Sequence, residues 1–461
     1  MPQVQISGDL SSNTFTVNGT AFLKQSVADR QAQLAKIAPP NYKPMEGWIA
    51  TGRGSTPWTL EFKEALSGKT RQVIDCQTMY STANAGHGNA GILDPFSDYQ
   101  RYVWAPTGNG LSNDLQLPAL MALRALVGLN VRIMTKSSGG EVVDTALKIA
   151  RKFWWLRHER PSERSGASGP FIVVAQHAFH GRTLGATSLF HPDSKSRQGF
   201  GPFPNSTLWV PFNDTDAMKR KFEEKGSSIA GVLLEPIQGE AGIFLPDDSY
   251  LKHVEYLCRR HGALFMLDEI QTGFGRTGKN FAFEHYGVKP DILLLGKALG
   301  GGVMPVSAIL ARTDVSFGVD TRVFDLFEAT IGVGEEGQTW SGSALSCFAI
   351  LAAIRNLCDK NLAGLALEHG GHFVSELLEL QKKWPKVITE VRGKGLMVGV
   401  DFTIHGREVS HALLREGVWA CATGETGHTV RFLPPLMTPT EVLSDVVVRL
   451  GKALTGLSKS T

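Results

Sequence analysis

Residues 263–302 read ALFMLDEIQTGFGRTGKNFAFEHYGVKPDILLLGKALGGG, and this stretch decides the fold class. Two short apolar runs lie in it, and each delivers a reactive residue to its end: Asp268 closes the first, and Lys297 lies just beyond the second. Such runs are too short for buried helices, and their continuous apolarity is typical of strands covered on both faces. The stretch therefore predicts two buried strands that end in an acid and a lysine.

The same pattern continues on both sides of this stretch. FIVVA at 171–175, IAGVLLE at 229–235 and VSAILA at 306–311 are further apolar runs, and 214–224 and 250–261 have helical spacing. This alternation predicts an α/β domain with a parallel-type sheet. Ligands bind beyond the strand ends of such sheets, so the polar residues just past each run are the first candidates for a site.

The pattern changes after about residue 346. A helix is followed by KVITEVRGKGLMVGVDF at 386–402 and by a final helix that begins near Thr438, which predicts a smaller α+β domain. We therefore expect an N-terminal segment at 1–80 that joins the small domain, a large domain at 81–345 and a small C-terminal domain at 346–461.

Composition and charge exclude several classes of protein. The chain has 461 residues, of which 42% are hydrophobic and 20% charged, and its formal net charge is +3. Without a basic block, neither nucleic acid nor an anionic membrane is an expected partner. No apolar run could span a membrane, and the start of the chain lacks a targeting pattern, so a cytoplasmic location is expected. The five cysteines are scattered without zinc-site spacing, so no metal is expected.

Asp268 and Lys297 together indicate a function that neither residue indicates alone. Either one alone would more often be a solvated or salt-bridged residue at a strand end. A pyridine cofactor needs a lysine amine to form a Schiff base, and a carboxylate facing the ring nitrogen keeps that nitrogen protonated as an electron sink. Lys297 supplies the amine and Asp268 supplies the carboxylate.

The segment LDEIQTGFGRTGKNFAFEHYGVKPDILLLGKALGGGVMPVSA at 267–308 resembles class III, fold type I aminotransferases dependent on pyridoxal 5'-phosphate, most closely the ornithine aminotransferase branch. The resemblance extends through YSTANAGHGN, SSGGEVVDTALKIARK, FHGRTLGATS, LLEPIQGEAGI, TWSGSALSC, RGKGLMVGVDF and VRFLPPL. It implies a large domain that binds pyridoxal phosphate, a small C-terminal domain, and a homodimer with shared active sites.

The resemblance also implies which residues bind the phosphate group. Ser138, Gly139 and Gly140 precede an amphipathic helix, whose free N–H groups and dipole would face the anion. Without the resemblance, these three residues would be an ordinary helix N-cap. Thr339 resembles the threonine that reaches the phosphate from the neighbouring subunit. Around the ring, Phe179 would stack on the pyridine.

Five further positions concern the ring oxygen and the substrates. By resemblance, Gln271 hydrogen-bonds the phenolic oxygen of the cofactor. Arg431 grips the α-carboxylate of a 2-oxoacid with its guanidinium fork, and Glu240 neutralises that arginine when an ω-amine is bound. Tyr80 and Arg182 take the positions that hold the far α-amino-carboxylate of ornithine. Taken singly, each would more often be a surface or salt-bridging residue.

Two places depart from the ornithine aminotransferase pattern. Ser112 lies about where that branch has a tyrosine that sets specificity. The segment DVSFGVDTRVFDLFEATIGVGEEGQ at 314–338 is unusually long and acidic, and it has Glu336 where a histidine is usual. The sequence provides no mechanism for this second difference.

The expected function is transfer of an amino group, from an ω-amine such as ornithine to 2-oxoglutarate, by a ping-pong mechanism. Lysine, 4-aminobutyrate, N-acetylornithine or an amine on a biosynthetic intermediate are alternative donors, and a racemase or aminomutase of the same fold is an alternative enzyme. Burial should lower the pKa of Lys297 enough to make it a base near neutral pH.

A nucleotide-binding ATPase is a weaker alternative. GFGRTGKN, from Gly273 to Asn280, nearly spells a phosphate-binding loop. However, Asn280 replaces the required serine or threonine, and no buried strand leads directly into Gly273. The motif therefore does not favour an ATPase.

Overall fold

The computed structural model of the chain describes residues 6–7, 16–17, 25–37, 47–53, 55–64, 67–99, 112–158, 169–317 and 320–459. The chain divides into two compact units, Met1–Ile74 and Asp75–Thr461. The domain boundaries expected at residues 80 and 345 stay predictions.

The first unit is built mainly of short antiparallel strands. Its elements are β1 (Ile6–Ser7), β2 (Thr16–Val17), α1 (Val27–Ile37), β3 (Gly47–Arg53), β4 (Thr59–Glu64) and β5 (Thr70–Asp75). β1 pairs with β2, and β4 pairs with both β3 and β5. Leu60 and Phe62 of β4 are buried and alternate with less buried neighbours, as expected for a strand with one covered face.

The second unit holds all the candidate site residues. Its elements follow in the order α2 (Thr78–Ser81), α3 (Ala90–Tyr99), α4 (Gln116–Val127), β6 (Val131–Lys136), α5 (Gly139–Arg157), β7 (Phe171–Ala175), α6 (Leu184–Ser188), β8 (Thr207–Val210), α7 (Thr215–Lys225), β9 (Ile229–Leu234), α8 (Tyr250–His261), β10 (Leu264–Asp268), α9 (Phe283–Tyr286), β11 (Ile292–Leu295), β12 (Ser307–Arg312), β13 (Val315–Phe317), β14 (Asp320–Phe324), α10 (Leu326–Thr330), α11 (Ala344–Asp359), α12 (Leu362–Lys383), β15 (Ile388–Lys394), β16 (Met397–Phe402), α13 (Gly406–Arg415), β17 (Val418–Trp419), β18 (Cys421–Thr423), β19 (Thr429–Phe432) and α14 (Thr440–Ser458). Short 3-10 helices cover Gly226–Ser228 and Lys297–Gly300.

A seven-stranded sheet forms the centre of this unit, in the order β6-β12-β11-β10-β9-β7-β8. All neighbouring pairs are parallel except those of β12, which is antiparallel to both β11 and β6. The prediction of a mostly parallel sheet is confirmed. For the run at 306–311 the direction differs from the parallel prediction, because continuous apolarity reports burial and not strand direction.

Helix α5 covers one face of the central sheet and forms the main core with it. Its buried side chains include Val142, Ala146 and Ile149, which pack in one cluster with Leu233 of β9 and Leu294 of β11. The helix begins at a capping box and continues for 19 residues. Because it is packed along its length, its N-terminus is fixed at the edge of the sheet.

A second, antiparallel sheet has the order β15-β16-β19-β18. Helices α12 and α13 pack against it, and α14 packs against both helices. This part has the α+β character predicted for the C-terminal region, and the last helix begins at Thr440, close to the predicted start. Within the described residues, no helix is both long and apolar enough to cross a membrane.

Candidate active site

The candidate residues lie at one edge of the central sheet, namely the edge formed by the carboxyl-terminal ends of its parallel strands. Since every strand except β12 runs in the same direction, the carboxyl ends of the other six meet at that edge. The segments that follow β6, β7, β9, β10 and β11 carry Ser138, Phe179, Glu240, Gln271 and Lys297 respectively. The sheet thus brings together residues that are distant in the sequence.

Asp268 is buried at the end of β10, where its carboxylate is held by two donors. Its Oδ2 lies 2.8 Å from Nδ1 of His180, and its Oδ1 accepts the N–H of Ile270 at 3.1 Å. Burial alone would lower the pKa of His180, but the hydrogen bond to Asp268 raises it above the ordinary value. The Asp268 carboxylate is therefore fixed in orientation by a buried histidine.

Glu235 is a second buried carboxyl group at the same edge. It accepts the N–H groups of Phe179 and Gly239, each at 3.1 Å, and so orients the loop that carries Phe179. Burial, opposed by the charge of His180, raises the pKa of Glu235 to about 7. His180 and Glu235 were not among the residues predicted from the sequence, although Glu235 ends a predicted strand run and His180 directly follows Phe179.

Lys297 opens the short helix after β11, with a φ of 46° that is uncommon for a residue other than glycine. Burial lowers its pKa to about 8, while the nearby carboxylate of Glu240 raises it and the guanidinium of Arg431 lowers it. The expectation that burial lowers this pKa is confirmed. A lysine amine with a pKa of about 8 has a much larger neutral, nucleophilic fraction near physiological pH than an ordinary lysine.

Ile270 is the point at which three of these segments pack together. A Cβ atom on Gly139 would lie 2.9 Å from Ile270 Cδ1, and one on Gly296 would lie 3.3 Å from Ile270 Cγ2. Glycine at these two positions lets the N-terminus of α5 and the turn before Lys297 approach the chain just beyond Asp268. The close packing places the start of α5 beside both catalytic candidates.

The N-terminus of α5 has two N–H groups available for an anion. Ser138 is the N-cap, and its own N–H and hydroxyl both bond to Glu141, whose N–H bonds to Ser138 in return. The capping box leaves the N–H groups of Gly139 and Gly140 at the positive end of the helix. We call Gly139 and Gly140 with the N-cap Ser138 the phosphate cradle.

Gln271 is buried beside the loop that follows β9. A Cβ atom on Gly239 would lie only 1.8 Å from Gln271 Oε1, so the glycine makes room for this side chain. Gln271 Oε1 is 3.5 Å from Arg431 Nη1, and Gln271 Nε2 is buried without a hydrogen-bond partner. An unsatisfied buried amide donor of this kind is available to an acceptor on a ligand.

Arg431 lies on β19 and forms an ion pair with Glu240, with 2.7 Å between Nη1 and Oε1. The arginine side chain is 1% exposed, whereas that of Glu240 is 32% exposed. Burial would raise the pKa of Glu240, but the positive charges of Arg431 and Lys297 lower it below its ordinary value. The arginine is buried, whereas the side chain of its acidic partner is partly exposed.

Tyr80 lies in α2, which is a single left-handed turn. Its residues Thr78 to Ser81 all have positive φ, a rare arrangement for four consecutive residues without glycine. The turn places the ring of Tyr80 against Arg431, with 5.4 Å from the guanidinium carbon to the ring centroid. Arg182 is exposed and stacks on Phe179 at 5.6 Å.

Three other positions singled out in the sequence lie before α4 and in the loop between α10 and α11. Ser112 is exposed before α4, and Thr339 is exposed in the loop between α10 and α11. Glu336, whose role was not evident from the sequence, is paired in the structure: its carboxylate bridges Lys136 and Lys148.

The Gly273–Asn280 motif does not form a phosphate-binding loop. It follows β10 through a series of turns and precedes only the four-residue helix α9. Arg276 within it is fully buried and donates to Ser81, Asn84 and two backbone carbonyl groups. The motif is a structural anchor, which argues against the ATPase alternative.

The residues at this edge fit pyridoxal phosphate. The phosphate cradle offers N–H groups for a phosphate, the unsatisfied Gln271 amide offers a donor for a ring oxygen, and Asp268 and Lys297 offer a carboxylate and an amine with a lowered pKa. Fold and site together define an enzyme of the fold type I class that depends on this cofactor.

Comparison with known proteins identifies the family. The family model described as aminotransferase class-III matches residues 66–454. An ornithine aminotransferase from Brevibacillus brevis is 34% identical over 422 residues, covering 92% of this chain and 97% of that protein. Among solved structures, the ornithine aminotransferase of Toxoplasma gondii has a TM-score of 0.83 at 29% identity, covering 95% and 97% of the two chains. The acetylornithine aminotransferase of Elizabethkingia anophelis has a TM-score of 0.78 at 31% identity, covering 94% and 100%.

The chain belongs to the class III aminotransferase family, and it is a transaminase that uses pyridoxal 5'-phosphate.

Proposed function

We propose that the enzyme transfers an amino group from an ω-amine of the ornithine type to 2-oxoglutarate by a ping-pong mechanism. The observation that carries this proposal is the Arg431–Glu240 pair, in which a buried arginine has a carboxylate partner that is partly exposed. Such a pair suits a site that must accept two unlike substrates in turn. The names of the relatives support ornithine as the leading donor.

When bound, pyridoxal phosphate supplies an electron sink for the negative charge that develops on the substrate carbon. Asp268, held by His180, would face the ring nitrogen and favour its protonated form. Phe179 would lie against the ring face, and Gln271 Nε2 would donate to the ring oxygen. The phosphate cradle would bind the phosphate at the positive end of α5.

Lys297 would move the proton. In this role Nζ of Lys297 would take a proton from the substrate carbon and later deliver it again, while the bound cofactor would supply the electron sink. A pKa near 8 suits this role, because the group can both accept and release a proton near neutral pH.

Glu240 would select between the two substrates at Arg431. With an ω-amine bound, no substrate carboxylate lies near the arginine, so Glu240 stays paired with it and neutralises its buried charge. When 2-oxoglutarate binds, its α-carboxylate forms the bidentate contact with Arg431, and Glu240 moves toward solvent. The arginine therefore never remains buried without a carboxylate.

Tyr80 and Arg182 are the proposed contacts for the far end of the donor. Arg182 carries an exposed charge that suits the α-carboxylate of ornithine, and the left-handed turn presents Tyr80 beside Arg431. Lysine, 4-aminobutyrate, N-acetylornithine or an amine on a biosynthetic intermediate are alternative donors for the same pocket.

We also propose that the enzyme is a homodimer in which Thr339 reaches the phosphate in the neighbouring subunit. The exposure of Thr339 in the loop between α10 and α11 supports this role. A cytoplasmic location remains a prediction of the sequence.

One experiment tests the proposed function. The purified enzyme with pyridoxal phosphate is given each candidate amine together with 2-oxoglutarate, and glutamate formation is measured. Ornithine should give the highest kcat/KM, and amine alone should convert the spectrum to the pyridoxamine form until 2-oxoglutarate is added. An isomerase would act on the amine without any oxoacid. A Lys297→Ala enzyme should lose both the visible imine absorbance and multiple turnover, and retention of turnover would refute the proposal.

A further inference from the structure

The loop between α10 and α11 contains an ion-pair cluster that lies beside the phosphate cradle. Glu336 is 9% exposed, and each of its carboxylate oxygens contacts a lysine. Oε1 lies 2.6 Å from Nζ of Lys136, the last residue of β6, and Oε2 pairs with Lys148 of α5. Lys136 is itself 3% exposed and also donates to the carbonyl oxygen of Gly337 at 3.1 Å. We call these three charged side chains the Glu336 clamp.

The loop is attached to the end of β6 by two more hydrogen bonds. Gln338 Nε2 donates to Ser137 Oγ at 2.5 Å, and the N–H of Gly342 donates to Thr135 Oγ1 at 2.7 Å. Thr339 lies in the chain between these two attachments. The Glu336 clamp, Gln338 and Gly342 therefore fix the backbone on both sides of Thr339 to the strand that leads into the phosphate cradle.

The charges explain why a glutamate is needed at this position. A buried ammonium group without a counter-charge is strongly unfavourable, so Lys136 requires an anion close by. Glu336 meets that requirement from the loop and also pairs with Lys148 of α5, so the three groups together keep one net positive charge. The family resemblance leads to the expectation of a histidine at this position, whereas this chain has the glutamate that forms the clamp.

We propose that Glu336 is a positioning residue, which fixes the 337–342 segment to the end of β6 and so holds Thr339 in place to reach the phosphate in the neighbouring subunit. The inference rests on the proposed function, because it takes the cradle and Thr339 to bind the cofactor phosphate. Glu336 does not touch the cofactor; it acts through the loop. Its effect should therefore depend on the phosphate group and not on the pyridine ring.

The test compares Glu336→Gln with a matched control, Glu335→Gln. Glu335 is the adjacent acidic residue, but its pair with Lys152 is more exposed, with the two side chains 49% and 33% exposed. The full-length apoenzyme is titrated with pyridoxal phosphate and with pyridoxal, which lacks the phosphate, and the Kd values are measured by visible absorbance. Glu336→Gln should weaken binding of pyridoxal phosphate by about tenfold through loss of charge-assisted contacts. Binding of pyridoxal, and both Kd values of Glu335→Gln, should stay within about twofold of the wild type.

Two further variants separate positioning from general destabilisation. Thr339→Ala should show the same selective loss of affinity for pyridoxal phosphate. The Glu336→Gln/Thr339→Ala protein should lose little more affinity, because both changes remove the same contact with the phosphate. The double change Lys136→Met/Glu336→Gln removes both buried charges, which should preserve folding. The Kd of this protein for pyridoxal phosphate should nevertheless differ little from its Kd for pyridoxal. Melting temperatures of the apoproteins report whether each variant is folded.

The outcomes distinguish this inference from the proposed function. Equal losses for pyridoxal phosphate and pyridoxal, additive losses in the double variant, or an unchanged Kd in Glu336→Gln would each overturn the positioning role while leaving the proposed function intact. A wild-type protein that bound neither ligand would overturn the proposed function, and this inference with it.

Discussion

Two charged pairs flank Lys297, and they differ in how far each carboxylate is buried. In the first, Asp268 lies 2.8 Å from His180, and the side chains are 4% and 1% exposed. In the second, Glu240 lies 2.7 Å from Arg431, and the side chains are 32% and 1% exposed. The distances are almost equal, so the bond length does not distinguish the pairs. The exposed fraction of the acidic side chain does distinguish them.

The difference in exposure has a direct energetic consequence. Moving Asp268 away from His180 would leave two polar groups buried without partners, which is costly in a region of low dielectric constant. Glu240 can exchange its contact with Arg431 for water, provided that another carboxylate takes its place at the arginine. The first pair is therefore suited to a permanent role toward the cofactor, and the second to a role that changes with the substrate.

The largest expected effect comes from the permanent pair. Asp268→Asn should reduce the rates of both half-reactions by about 10²- to 10³-fold, because charge stabilisation on the cofactor is needed in each. Single-turnover rates with the amine and with 2-oxoglutarate measure the two halves. Asp291→Asn is the control, since it removes a buried carboxylate, paired with Arg259, at the opposite edge of the sheet. A loss of rate confined to one half-reaction would contradict a permanent role for the Asp268–His180 pair.

Arg431→Gln should affect mainly the half-reaction with the oxoacid. Loss of the bidentate contact is expected to raise the KM for 2-oxoglutarate by about 10²-fold, in line with removal of one member of a buried charge pair. The amine half-reaction should change much less, because no substrate carboxylate contacts the arginine in that step. Steady-state kinetics with each substrate varied in turn provide the measurement. Equal losses in both halves would show that Arg431 has a structural role only.

Glu240→Gln should favour the oxoacid over the ω-amine, which is the opposite of the effect expected for Arg431→Gln. Without its partner, Arg431 is permanently available, so the KM for 2-oxoglutarate should fall, while kcat/KM for the ω-amine should drop by about tenfold. The reason is that the buried guanidinium is no longer neutralised when the amine is bound. If both substrates lost efficiency to the same extent, Glu240 would not be the exchangeable partner.

The smallest expected effect is on the pH dependence of the rate at which Lys297 reacts with pyridoxal phosphate. The rate at which the apoenzyme captures pyridoxal phosphate should rise with pH through a midpoint of about 8, because only the neutral amine reacts and burial lowers its pKa. Glu240→Gln should move this midpoint to lower pH, since the Glu240 carboxylate raises the pKa; Asp268→Asn should move it in the same direction but less. Stopped-flow absorbance across the pH range measures the midpoint. A midpoint near the ordinary lysine value would contradict the burial effect.

Much of the architecture was predictable because it depends on local patterns. The apolar run FIVVA coincides with β7, and the helical spacing at 250–261 coincides with α8. Asp268 and Lys297 were predictable for a related reason, since each follows a continuous apolar run and must lie at a strand end. The family motifs then indicated the chemistry of those two strand ends.

The sequence by itself determined which segments are buried, which strand ends carry reactive groups, and to which family the chain belongs. Only the tertiary structure decided that β12 runs antiparallel, that His180 pairs with Asp268 across 88 residues, and that Lys136 pairs with Glu336 across 200. Apolar periodicity reports burial and local propensity reports backbone geometry, but neither specifies which distant segments meet. That choice is made when the sheet assembles, because the order and direction of its strands bring particular loops to the same edge.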